Sequence, residues 1–213
     1  MALSAETREA RRRHLVDTAA CLIRENGGTG FSMLQLAERA GVSPATPYNL
    51  LGSKSDLLRL IVADEFRSFV DRLAALPPLA PLPRLLAAAD AVVDHYCADQ
   101  AFYRGLYLSA GGAEGGELRT LMQQEGRHLW RQMVEAAFAS GELRPLAAPD
   151  ALTDVLLRSI GGVTEAWLAE QWTCSQFAAE MALSVRLLFA GLAIEPLLPV
   201  TVAKARATCQ IGG

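Results

Sequence analysis

The stretch from Phe31 to Lys54 reads FSMLQLAERAGVSPATPYNLLGSK and predicts two short helices joined by a tight turn. Ser32 stands three residues before Gln35, a spacing typical of a capping box, in which each side chain binds a backbone N–H at the start of a helix. Gly41 is expected to end this helix, because glycine adopts the positive φ that follows many helices at little cost. Helix, glycine turn and second helix together indicate a helix-turn-helix.

The second helix of the pair has a small, polar surface that suits a DNA groove. Ser43 is predicted to cap it, with Pro44 as its first residue, where the missing N–H costs nothing. Pro47 is expected to remove one backbone hydrogen bond. Gly52 ends the helix, and Lys54 follows in the first turn of the next one. Because a helix start favours anions over cations, a lysine there suggests a contact with phosphate.

The pattern G-V-S-x-x-T-x-Y-x-x-L-x-S-K at 41–54 resembles the DNA-binding domain of the tetracycline-repressor (TetR) family. The resemblance is strong over about residues 8–62, and beyond them only the helical layout and the length are similar. The family usually carries leucine where Pro47 stands and phenylalanine where Leu51 stands. The resemblance implies an operator-binding homodimer that responds to a small molecule.

Composition also favours a helical chain, since alanine and leucine far outnumber valine and isoleucine. Prolines between residues 77 and 83 mark the clearest linker. We expect an all-α fold, with an N-terminal three-helix helix-turn-helix DNA-binding domain at 1–53 and a C-terminal helical ligand-binding and dimerisation domain at 54–213. Periodicity and breakers place the helices near 6–26, 33–40, 44–51, 54–75, 83–98, 100–110, 116–140, 149–172 and 174–193.

The net charge of −3 is unevenly distributed. Residues 1–54 hold seven Lys/Arg against five Asp/Glu, whereas residues 55–213 hold thirteen against eighteen. DNA binding requires a local basic patch rather than a basic protein, so this division is compatible with it. The patch is weak, and any non-specific affinity should depend strongly on salt.

The four cysteines, Cys21, Cys97, Cys174 and Cys209, lie far apart with no C-x-x-C pair. Neither a zinc site nor a disulfide framework is therefore expected, and no metal or cofactor is predicted. A redox sensor triggered by Cys97 or Cys174 stays open as a variant. No signal-peptide core and no apolar run of about 20 residues is present, so we expect a cytoplasmic protein without a membrane partner.

The positions that contact phosphate in the family correspond here to Thr46, Tyr48 and Lys54. Asn49 faces the groove and could pair with adenine. For Tyr48 the alternative is a half-buried aromatic residue, and for the N-terminal arginines it is a solvated helix face. The predicted DNA-binding residues are Ser32, Ser43, Pro44, Ala45, Thr46, Tyr48, Asn49, Lys54, Arg11 and Arg12.

An effector site is expected among aromatic and soft apolar side chains with a few polar groups for orientation. The predicted ligand-binding residues are His95, Tyr96, Phe102, Tyr103, Tyr107, Arg127, Trp130, Met133, Trp167 and Gln171. For each of them the alternative is a purely structural role, because aromatic residues at helical spacing usually form the core. The apolar excess favours a hydrophobic or aromatic effector.

The final helix is apolar on two sides, which indicates that a second subunit covers one side, and small residues in the middle of the helix before it would let helices approach closely. The predicted dimer-interface residues are Leu152, Leu156, Ser159, Val163, Phe177, Met181, Val185 and Leu188. Burial within one subunit is the alternative.

These patterns predict a ligand-responsive transcriptional regulator that represses from a palindromic operator until an effector releases it. Activation instead of repression stays open, as do the operator sequence, the regulated genes and the effector. No nucleophile elbow, P-loop, zinc helix or dinucleotide fingerprint is present, so an enzyme is not expected. The alternatives are an interaction module that has lost DNA binding and a helical enzyme whose site forms only in three dimensions.

Overall fold

A computed structural model describes residues 5–111 and 116–194 of the 213-residue chain. The described residues form nine α-helices. These are α1 (Ala5–Asn26), α2 (Met33–Arg39), α3 (Ala45–Leu51), α4 (Lys54–Ala74), α5 (Pro81–Cys97), α6 (Gln100–Gly111), α7 (Gly116–Ala139), α8 (Pro149–Ala169) and α9 (Cys174–Ala190).

The predicted all-α fold is confirmed, and most helices begin and end within a residue or two of the expected positions. The largest differences are at the ends of α8 and α9, which stop at Ala169 and Ala190. In residues 5–111 and 116–194, no helix combines the length and the apolar content that crossing a membrane requires.

The chain divides into two compact units. The first takes the described residues of Met1–Ser68 and Asp99–Gln124, and the second takes those of Phe69–Ala98 and Glu125–Gly213. The first unit therefore extends beyond the boundary expected at residue 53, since it includes most of α4 and all of α6.

In the first unit, α1, α2 and α3 pack on one another, and α6 packs along α1. Leu15, Ile23 and Leu36 are almost fully buried at the centre of this unit. Close packing of α6 depends on Gly105, where an added Cβ would lie 2.9 Å from the Ile23 carbonyl oxygen and 2.9 Å from the Gly28 nitrogen. A side chain at this position would meet backbone, which cannot rotate away.

In the second unit, α5 and α8 both pack on α9. The core between them includes Trp167 and Phe177, and α7 adds Trp130. Arg186 of α9 makes a bidentate contact with Asp90 of α5, at 3.1 and 2.7 Å. This paired geometry fixes α9 against α5 more firmly than a single hydrogen bond would.

A disulfide between Cys97 and Cys174 joins the end of α5 to the start of α9. The expectation that the cysteines form no disulfide is therefore wrong, because the fold brings together two residues separated by 77 positions. Cys21 is a free, exposed thiol. Cys209 lies outside the described residues.

Candidate functional site

The start of α2 is held by the predicted capping box. The Gln35 backbone N–H donates to Ser32 Oγ at 3.1 Å, and the Ser32 N–H donates to Gln35 Oε1 at 2.7 Å. Phe31 and Leu36 are buried beside it, at 2% and 0% exposure. Gly41 follows α2 with a φ of +66°, a left-handed conformation that favours glycine. Ser32 is thus occupied in holding α2, although its exposure leaves it accessible.

The start of α3 differs from the prediction. Pro44, not Ser43, is the N-cap residue, and no side chain caps the helix. The Ser43 hydroxyl lies 2.8 Å from the Thr46 hydroxyl. Pro47 is consequently the third helical residue, where a backbone N–H would have no partner within the helix. The expected loss of a hydrogen bond is therefore wrong, and the Pro47 ring is buried instead.

The outer surface of α3 is accessible. Tyr48 is 57% exposed, which contradicts the alternative of a half-buried aromatic residue. Ser43, Pro44, Ala45 and Asn49 are also exposed, whereas Thr46 is half-buried. On the opposite side, Pro47 and Leu51 are buried. The helix thus presents small, hydroxyl, phenol and amide groups outward while its apolar side holds it in the unit.

Lys54 is the first residue of α4, and its ammonium lies 5.1 Å from the centroid of the Phe31 ring. This cation–π distance holds the charge beside the start of α2. The helix start is fixed by Ser53 and Asp56: the Asp56 N–H donates to Ser53 Oγ at 3.1 Å, and the Ser53 N–H donates to Asp56 Oδ2 at 2.9 Å. A hydrogen bond from the Ser53 hydroxyl lowers the pKa of Asp56. Asp56 therefore stays ionised at a helix start, where an anion is stabilising.

The predicted DNA-contacting arginines lie on α1. Arg11 is exposed, and the Arg12 guanidinium pairs with Glu9 at 3.8 Å. This structure is compatible with either a DNA contact or a solvated helix face. His14 was not among the predicted residues, yet its Nε2 lies 3.2 Å from the Ala40 carbonyl oxygen at the end of α2. Sequence spacing gave no signal for this contact, since it joins two helices across 26 positions.

Several known proteins are similar to this chain in sequence or in structure. The HTH-type transcriptional repressor KstR2 of Mycolicibacterium smegmatis is 22% identical over 170 residues, covering 76% of this chain and 79% of its own. A protein of Syntrophomonas wolfei assigned to the TetR family of transcriptional regulators superposes with a TM-score of 0.74 at 14% identity, covering 88% of this chain and 99% of its own. No protein-family model matches the chain.

Two further solved structures are similar over most of the chain. SmeT, the repressor of the Stenotrophomonas maltophilia multidrug efflux pump SmeDEF, gives a TM-score of 0.71 at 18% identity and covers 87% of this chain and 96% of its own. RolR in complex with its ligand resorcinol gives a TM-score of 0.63 at 19% identity and covers 96% of this chain and 95% of its own. The chain has the TetR-family fold.

In this TetR fold, three residues predicted to bind an effector lie in the first unit: Phe102, Tyr103 and Tyr107. Phe102 is 1% exposed, and the Arg24 guanidinium carbon lies 5.4 Å from the centroid of its ring. The Tyr103 hydroxyl donates a hydrogen bond to Glu65. Phe102 and Tyr103 thus hold α6 in its unit, whereas Tyr107 is half-buried.

The aromatic residues predicted for the effector site in the second unit form a stack. The Trp167 ring lies 4.6 Å from that of Phe177 and 6.4 Å from that of Tyr96, measured between centroids. His95 is 6% exposed, with its ring 5.5 Å from that of Phe69. Trp130 is also buried, and Met133 is half-buried. These contacts give the predicted residues a structural role in the second unit.

Two of the three polar residues predicted for the effector site, Arg127 and Gln171, lie at the surface. Arg127 forms ion pairs with Asp154 and, at 3.9 Å, with Asp150. Its bond to Asp154 raises the pKa of Arg127, so the guanidinium is fixed as a cation in this pair. Gln171 is exposed in the turn between α8 and α9, with a φ of +54°. The third polar residue, His95, lies with its ring 5.9 Å from that of Tyr96, measured between centroids.

The dimer prediction selected the inner sides of α8 and α9. Five of its residues are at most 3% exposed within one chain: Leu152, Leu156, Phe177, Met181 and Val185. That part of the prediction is wrong, because these side chains already fill the core. Ser159, Val163 and Leu188 are half-buried. The outer sides expose Val155 at 40%, Leu183 at 43% and Leu187 at 63%.

Proposed function

We propose that this chain is a transcriptional repressor that acts as a cytoplasmic homodimer without catalysis. It binds a palindromic operator and leaves it when a small hydrophobic or aromatic effector binds. The observation that carries the proposal is the exposed outer surface of α3, with Tyr48 at 57%, in a helix-turn-helix whose α2 is held by a capping box and whose Lys54 ammonium lies over the Phe31 ring. Two similar proteins, KstR2 and SmeT, are repressors, and RolR binds resorcinol, a small aromatic molecule.

The DNA contacts divide by chemistry. Tyr48, Thr46 and Lys54 bind phosphate, which positions the helix but carries no sequence information directly. Asn49 reads a base edge, because its amide can donate and accept at once, as adenine requires in the major groove. Two copies of α3 in a dimer read half-sites separated by about 34–36 Å, one turn of DNA. An effector releases the operator only if it binds a conformation with a different separation more tightly.

Selection of bound fragments from the source genome at a stated salt concentration tests DNA binding. Tyr48→Phe and Lys54→Ala should weaken binding to all sequences, and Lys54→Ala should reduce the slope of log affinity against log salt by about 1. Asn49→Ala should instead change the preference among bases. Arg67→Ala is the matched control, since this exposed cation of α4 pairs with Asp64. A change of base preference in Lys54→Ala without weaker binding would contradict this division of roles.

The dimer is proposed to use the exposed outer sides of α8 and α9. Leu187→Glu should place a charge in that interface and convert dimers to monomers in sedimentation velocity. Leu108→Glu on α6 is the control, because Leu108 is 62% exposed and Leu187 is 63% exposed. If both variants remain dimeric, the interface lies elsewhere.

Effector response is tested by titrating small aromatic compounds, including resorcinol, into the protein–operator complex. The proposal expects at least one class to lower operator affinity while binding the free protein. Absence of operator binding at every salt concentration would favour the interaction module that has lost DNA binding. Substrate turnover in the absence of DNA binding would favour the helical enzyme.

A further inference from the structure

Cys97 is the last residue of α5 and Cys174 is the first residue of α9. Their Cα atoms lie 6.0 Å apart, within the range that a disulfide requires. Both residues are half-buried rather than enclosed. The two side chains are therefore placed to react with each other, at residues that the protein does not fully enclose.

The surroundings of the two thiols favour Cys174 as the nucleophile. Cys174 opens α9 directly after Thr173, whose hydroxyl accepts a hydrogen bond from the Gln176 N–H at 3.2 Å. The Gln176 side chain accepts in return from the Thr173 N–H at 2.9 Å. A thiol at a helix N-terminus is more readily ionised, because the helix dipole stabilises the thiolate. Cys97 lies at the opposite, C-terminal end of its helix, where a thiolate is disfavoured.

We propose that Cys97 and Cys174 form a reversible oxidation site that reacts with low-molecular-weight disulfides of the glutathione type. The proposal rests on the proposed function, because a protein that binds an operator works where cellular thiols are kept reduced. Disulfides in such compartments are usually transient or redox-sensing rather than permanent. The same pair in a secreted protein would be read as a structural cross-link.

The reaction proceeds by two exchanges. The Cys174 thiolate attacks one sulfur of the small disulfide, whose S–S bond breaks, and the departing thiolate takes up a proton. The Cys97 thiolate then attacks the Cys174 sulfur of the mixed disulfide, and the second small thiol leaves. The protein loses two electrons and two protons, and the small disulfide is reduced to two thiols. An excess of small thiol reverses both steps.

Oxidation ties the α8–α9 turn to the end of α5. That turn contains Gln171 in a left-handed conformation, which residues other than glycine adopt at a cost. In the reduced protein, noncovalent contacts alone hold the turn. Because the turn joins the two helices proposed for the dimer, its restraint should alter the arrangement that the operator selects. The oxidised and reduced forms should therefore differ in operator affinity by about fivefold or more.

The first experiment needs no DNA. The full chain carrying Cys21→Ser and Cys209→Ser retains only this pair and is equilibrated in glutathione buffers that span the cytosolic range of reduced to oxidised glutathione. Thiol trapping with mass spectrometry should find both the dithiol and the intramolecular disulfide, interconverting reversibly. Hydrogen exchange at residues 170–176 should be slower in the oxidised form. A pair that stays oxidised in the most reducing buffer, or one that never closes, would overturn the proposal.

The second experiment measures operator affinity of the same protein in its two forms, with Cys97→Ser and Cys174→Ser as separate controls. The affinity should change with oxidation in the pair-only protein and not in either control. Equal affinities of the two forms would remove the regulatory role. Failure of every form to bind DNA would overturn the proposed function, while the thiol titration would still decide whether the oxidation site exists.

Discussion

The α2–α3 region and the α5–α9 region are held together by different kinds of contact. Helices α2 and α3 have only seven residues each, and helices this short are unstable alone in water. Side chains three residues away bind the backbone at the starts of α2 and α4, as Gln35 and Asp56 do. In the second unit, α5 and α9 are joined by residues 77 and 96 positions apart. The α2–α3 region depends on polar contacts between residues close in the sequence, and the α5–α9 region depends on contacts between residues distant in the sequence.

This difference separates binding from stability. The first region directs its aromatic and amide groups outward, with Tyr48 at 57% exposure. The second region packs its aromatic groups against each other, with Trp167 at 0%. Substitutions on the outer surface of α3 should therefore change affinity for DNA with little effect on folding. Substitutions in the aromatic stack should change the free energy of unfolding first.

The largest expected effect is that of Trp167→Ala. Removing a fully buried indole from the stack with Phe177 should lower the free energy of unfolding by about 3–5 kcal/mol, measured by urea denaturation. Trp172→Ala is the matched control: its indole is half-buried, and its Nε1–H donates to Glu170 at 2.8 Å. Equal losses in the two variants would show that the stack contributes no more than a partly exposed residue.

A smaller effect is expected from Gly105→Ala in the first unit. The new Cβ would lie 2.9 Å from backbone atoms of Ile23 and Gly28, so α6 must shift from α1. Overpacking of this kind should cost about 1–3 kcal/mol in the same denaturation experiment. Gly126→Ala on α7 is the control, because its Cβ would meet the Trp130 ring at 3.7 Å, an ordinary contact. A neutral Gly105→Ala would mean that α6 is not closely held.

Local signals were sufficient to predict the helices. The Ser32–Gln35 capping box and the positive φ of Gly41 follow from residues within a few positions of each other. The error at α3 was also local: moving the cap from Ser43 to Pro44 shifts Pro47 from the fourth helical position to the third. Because of that shift of one residue, Pro47 lies in the first turn of α3, where its missing N–H removes no hydrogen bond within the helix.

Contacts between residues distant in the sequence could not be predicted from local patterns. The two sides of α9 are both apolar, so the sequence did not show that the side with Phe177 faces the core and the side with Leu187 faces out. The approach of Cys97 to Cys174 depends on how α5 packs on α9, which no spacing rule contains. The contact of α6 with α1 likewise places residues far beyond position 53 in the first unit.

Two capping boxes allow a direct comparison of the regions. Ser32→Ala at α2 and Thr173→Ala at α9 each remove a side-chain acceptor and should each lower the free energy of unfolding by about 1 kcal/mol. Ser32→Ala should weaken operator binding more than Thr173→Ala does, since it loosens the helix-turn-helix itself. Fluorescence anisotropy with labelled operator measures the affinity. An equal loss of affinity in Thr173→Ala would show that the two regions are not separable in this way.

The smallest effect concerns Glu65, to which Tyr103 donates a hydrogen bond. Burial raises the pKa of Glu65, and the bond from Tyr103 opposes that shift. Since the folded state favours the protonated carboxyl, this stabilisation is fully present below the ordinary value of 4.5 and is lost as pH rises through the raised pKa. Relative to Glu65→Gln, which cannot titrate, the unaltered protein should therefore become less stable as the pH rises above 4.5.

Tyr103→Phe sharpens this last test, because it removes the hydrogen bond that lowers the pKa of Glu65 and leaves the burial that raises it. The pH at which stability is lost should move upward in Tyr103→Phe and disappear in Tyr103→Phe/Glu65→Gln. Urea denaturation at closely spaced pH values measures both. A downward movement would mean that solvent, and not the surrounding protein, controls this carboxyl, and the first unit would then be more open beside α6 than its packing on α1 indicates.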